Sequence, residues 1–148
     1  MTVLKSLTLA GVGVLLFGAS MLVRAQAPPV SATMTLSMSG TVCGKTLVGN
    51  DPSGSDLIRA RRNGPIRWAV INNCPAAATV QLTNFVRKSD NAPNFPFEPN
   101  GNADCKAAGG GGTCTMTLVV RGNAEVTTYS YTTVINGVAY DPDIIIEQ

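Results

Sequence analysis

The residues in this sequence with the most evident chemistry are its four cysteines, Cys43, Cys74, Cys105 and Cys114. They do not predict a zinc site, because no two have the short spacing of a zinc-binding pair and the chain contains no His. An even number of cysteines, in a chain whose first 25 residues have the pattern of a secretory signal, predicts disulfides instead. Three pairings are open. We favour Cys105 with Cys114, which closes a short loop over a glycine-rich stretch and leaves Cys43 with Cys74.

A close set of acidic residues, Asp141, Asp143 and Glu147, is the second candidate for chemistry. Two carboxylates are the minimum for acid–base hydrolysis, so a small hydrolase is one hypothesis. Pro142 indicates a turn at this point, however, and in turns Asp side chains cap backbone groups. The lack of His also removes the commonest general base. We therefore predict no catalytic residues and a protein that is not an enzyme.

Three further stretches contain residue types that can bind a metal or a cofactor. Met34 and Met38 carry thioethers that can bind Cu(I), but their strand spacing on either side of Leu36 predicts core positions. Asn50–Asp56 is turn-forming and lacks the carboxylate density and distal Glu of a calcium loop. Gly109–Gly112 lacks the Lys-Ser/Thr that follows a phosphate-binding loop. The sequence thus predicts no metal and no cofactor.

Four arginines cluster in the sequence, at Arg59, Arg61, Arg62 and Arg67. They could form a patch for an anion. Charged side chains are also a common means of preventing an exposed strand from pairing with another chain, and we favour this second interpretation.

The N-terminus has the pattern of a secretory signal peptide. Lys5 precedes an apolar run, Leu7–Val23, and Val23-Arg24-Ala25 ends in the small residue that signal peptidase requires. We predict a signal peptide over residues 1–25 and one mature domain over residues 26–148. Cleavage after Ala27 and retention of the run as a membrane anchor are the alternatives, although the run is just short of the roughly 20 residues that span a bilayer.

The charge of the mature chain restricts its partners. The full chain has eleven basic and nine acidic residues, and removal of Lys5 and Arg24 leaves nine of each. A near-neutral protein has no general electrostatic attraction to nucleic acid or anionic membranes. We expect neither nucleic acid binding nor membrane association after signal cleavage.

The element that positions these residues is a predicted central strand, Pro65–Asn73. Ile66, Trp68 and Val70 alternate along one face, which is typical of a strand with its apolar side in a core. We predict that Trp68, the only Trp, is a core residue whose replacement by Ala would cost about 3–5 kcal/mol.

Alternating apolar positions predict the other strands, and the connections contain turn-forming residues. Asn136-Gly137 is the strongest hairpin signal. In the returning strand we place Val80, Leu82 and Asn84 on one face. Two long stretches, residues 44–64 and 87–113, are predicted to be mostly irregular. About seven short strands without helical periodicity indicate an all-β Greek-key sandwich; the predicted strands are Thr33–Ser39, Leu57–Arg61, Pro65–Asn73, Thr79–Val86, Thr115–Arg121, Glu125–Ile135 and Val138–Glu147.

The predicted central strand resembles that of the cupredoxin-like family. Arg62-Asn-Gly-Pro-Ile-Arg-Trp-Ala-Val-Ile-Asn72 is similar to the family's Gly-x-x-Val-x-Trp-x-x-x-Asn strand, and Val80–Phe85 suits the strand after it. Tyr129-Ser-Tyr131 and Asp143-Ile-Ile-Ile146 are similar to the family's last two strands. These segments cover about a third of the chain, and an immunoglobulin-like sandwich is the alternative.

The resemblance implies a fold and argues against the family's activity. It implies that the first strand, which we expect to end near Cys43, runs parallel to the Trp68 strand, which ends at Cys74. Both cysteines would then lie at the same end of the sandwich. Type 1 copper requires two His and a Cys, usually with a Met. Between Thr132 and Asp143, where the family carries its Cys, His and Met ligands, this chain has none of them.

The sequence therefore predicts an exported, non-enzymatic β-sandwich module in the periplasm or outside the cell, binding an unidentified protein or envelope partner. The alternative is a metal-binding or redox protein with a non-standard site of Met, Asp and Asn side chains.

Overall fold

The computed structural model describes residues 27–99 and 102–148. Within these ranges the chain forms twelve β-strands: β1 (Val30–Ser39), β2 (Val42–Val48), β3 (Ile58–Arg61), β4 (Pro65–Asn72), β5 (Ala78–Arg87), β6 (Ala92–Pro93), β7 (Phe97–Glu98), β8 (Ala103–Ala107), β9 (Gly112–Val120), β10 (Thr128–Ile135), β11 (Val138–Tyr140) and β12 (Asp143–Glu147).

The strands form two mixed sheets. Sheet A has the order β2-β1-β4-β9-β7, and sheet B has the order β3-β12-β10-β5-β6, with β11 added on β10 and β8 on β5. This confirms the prediction of an all-β sandwich. Strand β1 runs parallel to β4, with Ala32 opposite Trp68, as the cupredoxin-like resemblance implies. The immunoglobulin-like alternative, in contrast, is built from antiparallel sheets.

Strand β4 lies in the middle of sheet A and has the alternation that its sequence predicts. Ile66, Trp68 and Val70 are fully buried, whereas Arg67 is exposed. The indole of Trp68 packs in T-shaped arrangements with the Phe97 and Tyr131 rings, each with a centroid distance of 6.1 Å. The prediction that Trp68 is a core residue is therefore confirmed.

The aromatic side chains join the two sheets at the centre of the core. Tyr131, on β10 of sheet B, stacks on Phe85 of β5 at 5.4 Å. The Trp68 Nε1–H donates a hydrogen bond to the Tyr131 hydroxyl across the sandwich at 3.1 Å. Tyr131 is almost completely buried, and this desolvation raises the pKa of its phenol.

The predicted long irregular connection over residues 44–64 is wrong in its first part. Strand β1 ends at Ser39, and a two-residue turn leads into β2, which runs antiparallel to β1 with Ser39 opposite Val42. Gly40 has a φ of 62°, as the first central residue of this tight hairpin turn requires. Cys43 therefore lies on β2 and not at the end of the first strand. Met38, predicted to be in the core, is 44% exposed because it lies beyond the covered part of sheet A.

The second predicted loop, residues 87–113, contains β6, β7 and β8 and the start of β9. Phe97 and Ala107 within it are fully buried, and β8 pairs with β5. This region is ordered by a few apolar residues that pack against distant strands. Because such packing leaves no periodic pattern in the local sequence, the strands were not predicted.

Strand β5 departs from its predicted alternation at Asn84. This residue has a φ of 50° and is exposed, and the pairing of β5 with β10 shifts register at this point. A β-bulge inserts one extra residue and reverses which side chains face inwards, so Phe85 is buried and the predicted inward position of Asn84 is wrong. The predicted Asn136-Gly137 hairpin is confirmed, since both residues have positive φ and Ile135 pairs with Val138.

The predicted signal peptide and its cleavage site lie outside the described residues. In the described ranges, no helix is long and apolar enough to cross a membrane.

Candidate functional site at the free edge of sheet A

Two disulfides are present, Cys43–Cys74 and Cys105–Cys114, with the pairing favoured from the sequence. The first fastens β2 to the segment that follows β4, and the second joins β8 of sheet B to β9 of sheet A. Stable disulfides indicate an oxidising environment outside the cytoplasm.

Asn72 organises the end of the sandwich where these disulfides lie. Its buried side-chain amide donates hydrogen bonds to the carbonyl oxygens of Ala76 (2.8 Å) and Ala108 (3.1 Å), and its amide oxygen accepts one from the Cys74 N–H (3.1 Å). The glycine loop between β8 and β9 docks here as well, through a bond from the Gly110 N–H to the Cys74 carbonyl oxygen (2.8 Å). The Asn72 side chain and the Gly110 N–H therefore have a structural role at this end of the sandwich.

Each of the three acidic residues considered for hydrolysis has its own hydrogen-bonding or ion-pair partner. Asp141 accepts a hydrogen bond from the Thr132 hydroxyl at 2.9 Å. Asp143 accepts one from the Ser130 hydroxyl at 2.7 Å and forms an ion pair with Lys88. These contacts tie neighbouring strands of sheet B together.

The arginine cluster is also divided between the two sheets. Arg59, on β3, forms ion pairs with Asp51 at 2.6 Å and with Glu147 at 3.1 Å. Hydrogen bonds from Ser53 and then from Arg59 lower the pKa of the Asp51 carboxyl to about 2. Arg62 donates to the Ala124 carbonyl oxygen at 2.6 Å. The two remaining members, Arg61 on β3 and Arg67 on β4, are exposed on different sheets.

The residues suggested for a non-standard metal or redox site do not converge. Met34 is buried in the core under sheet A, and Met38 is exposed near the end of the same strand. Asp141 and Asp143 are in sheet B, where hydroxyl groups bind them. Over the described ranges, no group of three or more His, Cys, Asp or Glu residues could hold a metal ion, and there is no pocket.

The surface that distinguishes this molecule is the outer edge of β2, which we call the β2 edge and which comprises Val42–Val48. Strand β2 pairs with β1 on one side only and is the longest strand at a sheet edge in the part of the chain that the structure describes. One row of its backbone N–H and C=O groups therefore faces away from the sheet. Such a row is a template for pairing with another strand.

The β2 edge is unusually apolar and carries a single charge. Val42 is 67% exposed and Val48 is 44% exposed. Over the whole hairpin, residues 30–48, the only charged residue is Lys45. Its ammonium lies 4.5 Å from the centre of the Tyr140 ring, in a cation–π contact within the molecule. The charge that could prevent strand pairing is thereby held towards sheet B.

The backbone of the β2 edge is held in place at both ends. Near its start, Cys43 is bound covalently to the buried Cys74. Near its end, Leu47 is buried under sheet A opposite Met34. A strand fixed in this way needs little further ordering to accept a partner strand, which lowers the entropic cost of binding.

The β2 edge was missed in the sequence because its residues do not alternate. Cys43-Gly-Lys-Thr46 reads as a loop, and only Leu47 marks the inner face. The available signal was Gly40, which lies between two stretches of strand-forming residues and is suited to a hairpin turn.

No family model matches this sequence, and no curated protein matches it. Among solved structures, the chain is similar to the multicopper oxidase mgLAC, with 12% sequence identity and a TM-score of 0.40. The match covers 81% of this chain and 38% of the oxidase chain, so this chain spans well under half the length of that protein. A likeness of this degree carries no information on activity. The assignment as a mixed β-sandwich rests on the strand order of the two sheets.

Proposed function

We propose that this protein is an exported, non-enzymatic β-sandwich module that acts as a binding or structural component through its β2 edge. The observation that carries the proposal is a long, fixed edge strand with exposed Val42 and Val48 and no free charge. Strand addition would use the outward-facing backbone groups of β2 for affinity and these two side chains for apolar contact.

Export to the periplasm or the extracellular space is supported by the two disulfides and by the N-terminal sequence pattern. We expect cleavage after Ala25, so that N-terminal sequencing of the exported protein begins at Gln26. Recovery of Met1 from a membrane fraction would contradict cleavage and support an anchor.

Binding through the β2 edge is tested by charge substitution. The double variant Val42→Lys/Val48→Lys places two charges on the edge, where they should oppose strand addition. A matched control is Gln81→Lys/Val126→Lys, which adds two Lys side chains at exposed positions outside β2; Gln81 lies on β5, on the outer face of sheet B. Each protein is used as bait for chemical cross-linking in the native envelope and secreted fractions.

We expect the wild type and the control to cross-link to the same partner and the edge variant to lose it. An unchanged set of cross-linked partners in the edge variant would refute the proposal. The proposal also holds that the module acts without a metal. Stoichiometric copper, zinc or calcium in the purified protein would contradict this.

A further inference from the structure

We infer that the strand that pairs with the β2 edge is the β2 strand of a second copy of this chain, related by a two-fold axis that passes through Lys45. This inference rests on the proposed function of the β2 edge as a binding surface. It follows from the positions of the exposed residues along β2, from their faces and from the lack of charge.

The faces of β2 are determined by its pairing with β1. Val42 lies opposite Ser39, and Val48 lies opposite Thr33, on the outer face of sheet A. Leu47 lies opposite Met34, on the inner face. Two antiparallel strands related by a two-fold axis normal to the sheet keep both cores on the same side only if residues of the same face oppose each other. The register must therefore pair even-numbered positions with even-numbered positions.

Among these registers, an axis through Lys45 makes the strand complementary to itself. It places Val42 opposite the partner's Val48, and Val48 opposite the partner's Val42, on the outer face. Gly44 then lies opposite the partner's Thr46, and all seven residues of β2 are paired. Moving the axis by one residue, to Gly44 or to Thr46, leaves one of the two valines opposite a residue outside the strand. Every register with a two-fold axis is isologous, as in homodimers, but the axis through Lys45 is the one that pairs both valines and all seven residues of β2.

Charge does not oppose this pairing as it would for most edge strands. Lys45 would face the partner's Lys45, and like charges directly opposite each other are normally unfavourable. Each ammonium is drawn towards its own Tyr140 ring, on the inner side of the sheet. No other charged residue lies in the hairpin, residues 30–48.

Because a single pair of edge strands is at the small end of stable interfaces, we expect a weak dimer, with a dissociation constant in roughly the micromolar range.

The register is tested by disulfide trapping. Opposed residues in antiparallel strands have Cβ atoms about 4.5–5.5 Å apart, which is close enough for a disulfide. The variants Val42→Cys and Val48→Cys are expressed as full chains, purified after export and oxidised mildly, separately and as an equimolar mixture. We expect a covalent dimer from the mixture and little from either variant alone, because position 42 opposes position 48. Equal cross-linking of each variant with itself, or no cross-linking in the mixture, would overturn this register.

Association itself is measured by analytical ultracentrifugation over a range of protein concentrations. The wild type and Gln81→Lys/Val126→Lys should dimerise, and Val42→Lys/Val48→Lys should have a dissociation constant raised at least roughly tenfold. Unchanged Trp68 fluorescence shows that the variants are folded. A wild type that stays monomeric while the edge variant still loses an envelope partner would overturn this inference and leave the proposed function intact. Equal dimerisation of the wild type and the edge variant would overturn it because the dimer would then form through another surface.

Discussion

The hydrogen bond between Trp68 and Tyr131 gives the sharpest test of the core. The substitution Tyr131→Phe removes the hydroxyl that accepts the Trp68 Nε1–H at 3.1 Å and leaves the rings in place. The stacking of ring 131 on Phe85 should therefore persist. What changes is that a buried N–H loses its acceptor, and Trp68 has no exposure through which water could replace it.

The expected loss is the desolvation penalty of one unpaired buried donor, about 1–3 kcal/mol in the free energy of unfolding. This is less than the roughly 3–5 kcal/mol expected for Trp68→Ala, which also removes the indole and leaves a cavity. Since small domains have only about 5–15 kcal/mol of total stability, either loss is readily measured.

Urea denaturation followed by the fluorescence of the single Trp measures this loss, because Tyr131→Phe keeps the reporter. Blue-shifted emission in the folded state is expected for a buried indole. Tyr140→Phe is the matched control, since it removes a hydroxyl from a partly exposed Tyr and keeps the ring under Lys45. If Tyr131→Phe lowers the midpoint no more than the control does, the buried hydrogen bond does not contribute as argued.

Three further outcomes are expected. Replacing Cys43 and Cys74 with Ala should lower the free energy of unfolding by about 1 kcal/mol more than removing the other disulfide, because the sequence separations are 31 and 9. Urea denaturation of the two variants checks this, and equal losses would contradict the loop-entropy account. Hydrogen bonds, the largest effect being that of Ser53, lower the folded-state pKa of Asp51 from its ordinary value of 3.8 to about 2. The contribution of Asp51 to the free energy of unfolding is therefore present above pH 3.8 and is lost as the pH falls towards 2. Asp51→Asn should flatten the stability–pH curve in this range, and an unchanged slope would refute the assignment. Asn72→Ala should cost about 1–3 kcal/mol, because the buried Cys74 N–H and two partly buried carbonyl groups lose their partner. Thermal unfolding measures this loss, and an unchanged midpoint would contradict the structural role of Asn72.

The sequence was most informative where strands alternate regularly and cross the middle of a sheet. Trp68 could be assigned to the core because strict alternation has one physical cause, a strand with one covered face. The same holds for the hairpin at Asn136-Gly137, whose backbone conformation depends on two adjacent residues. The disulfide pairing was also predicted, although Cys43 reaches Cys74 from β2 and not from the end of β1.

Only the tertiary structure shows the β2 edge, the bulge at Asn84 and the short strands within residues 87–113. Each depends on how distant parts of the chain assemble: the free edge of β2 on the strand order of sheet A, and Phe97 on packing against Trp68. Whether Val42 is a covered or a free edge residue depends on which strand lies beside it, and that is a property of sheet order. The sequence by itself therefore determined the class of fold, the place of Trp68 in the core and the absence of His from the whole chain. The candidate binding surface was decided by the assembled sheets, because an edge exists only when the neighbours of a strand are known.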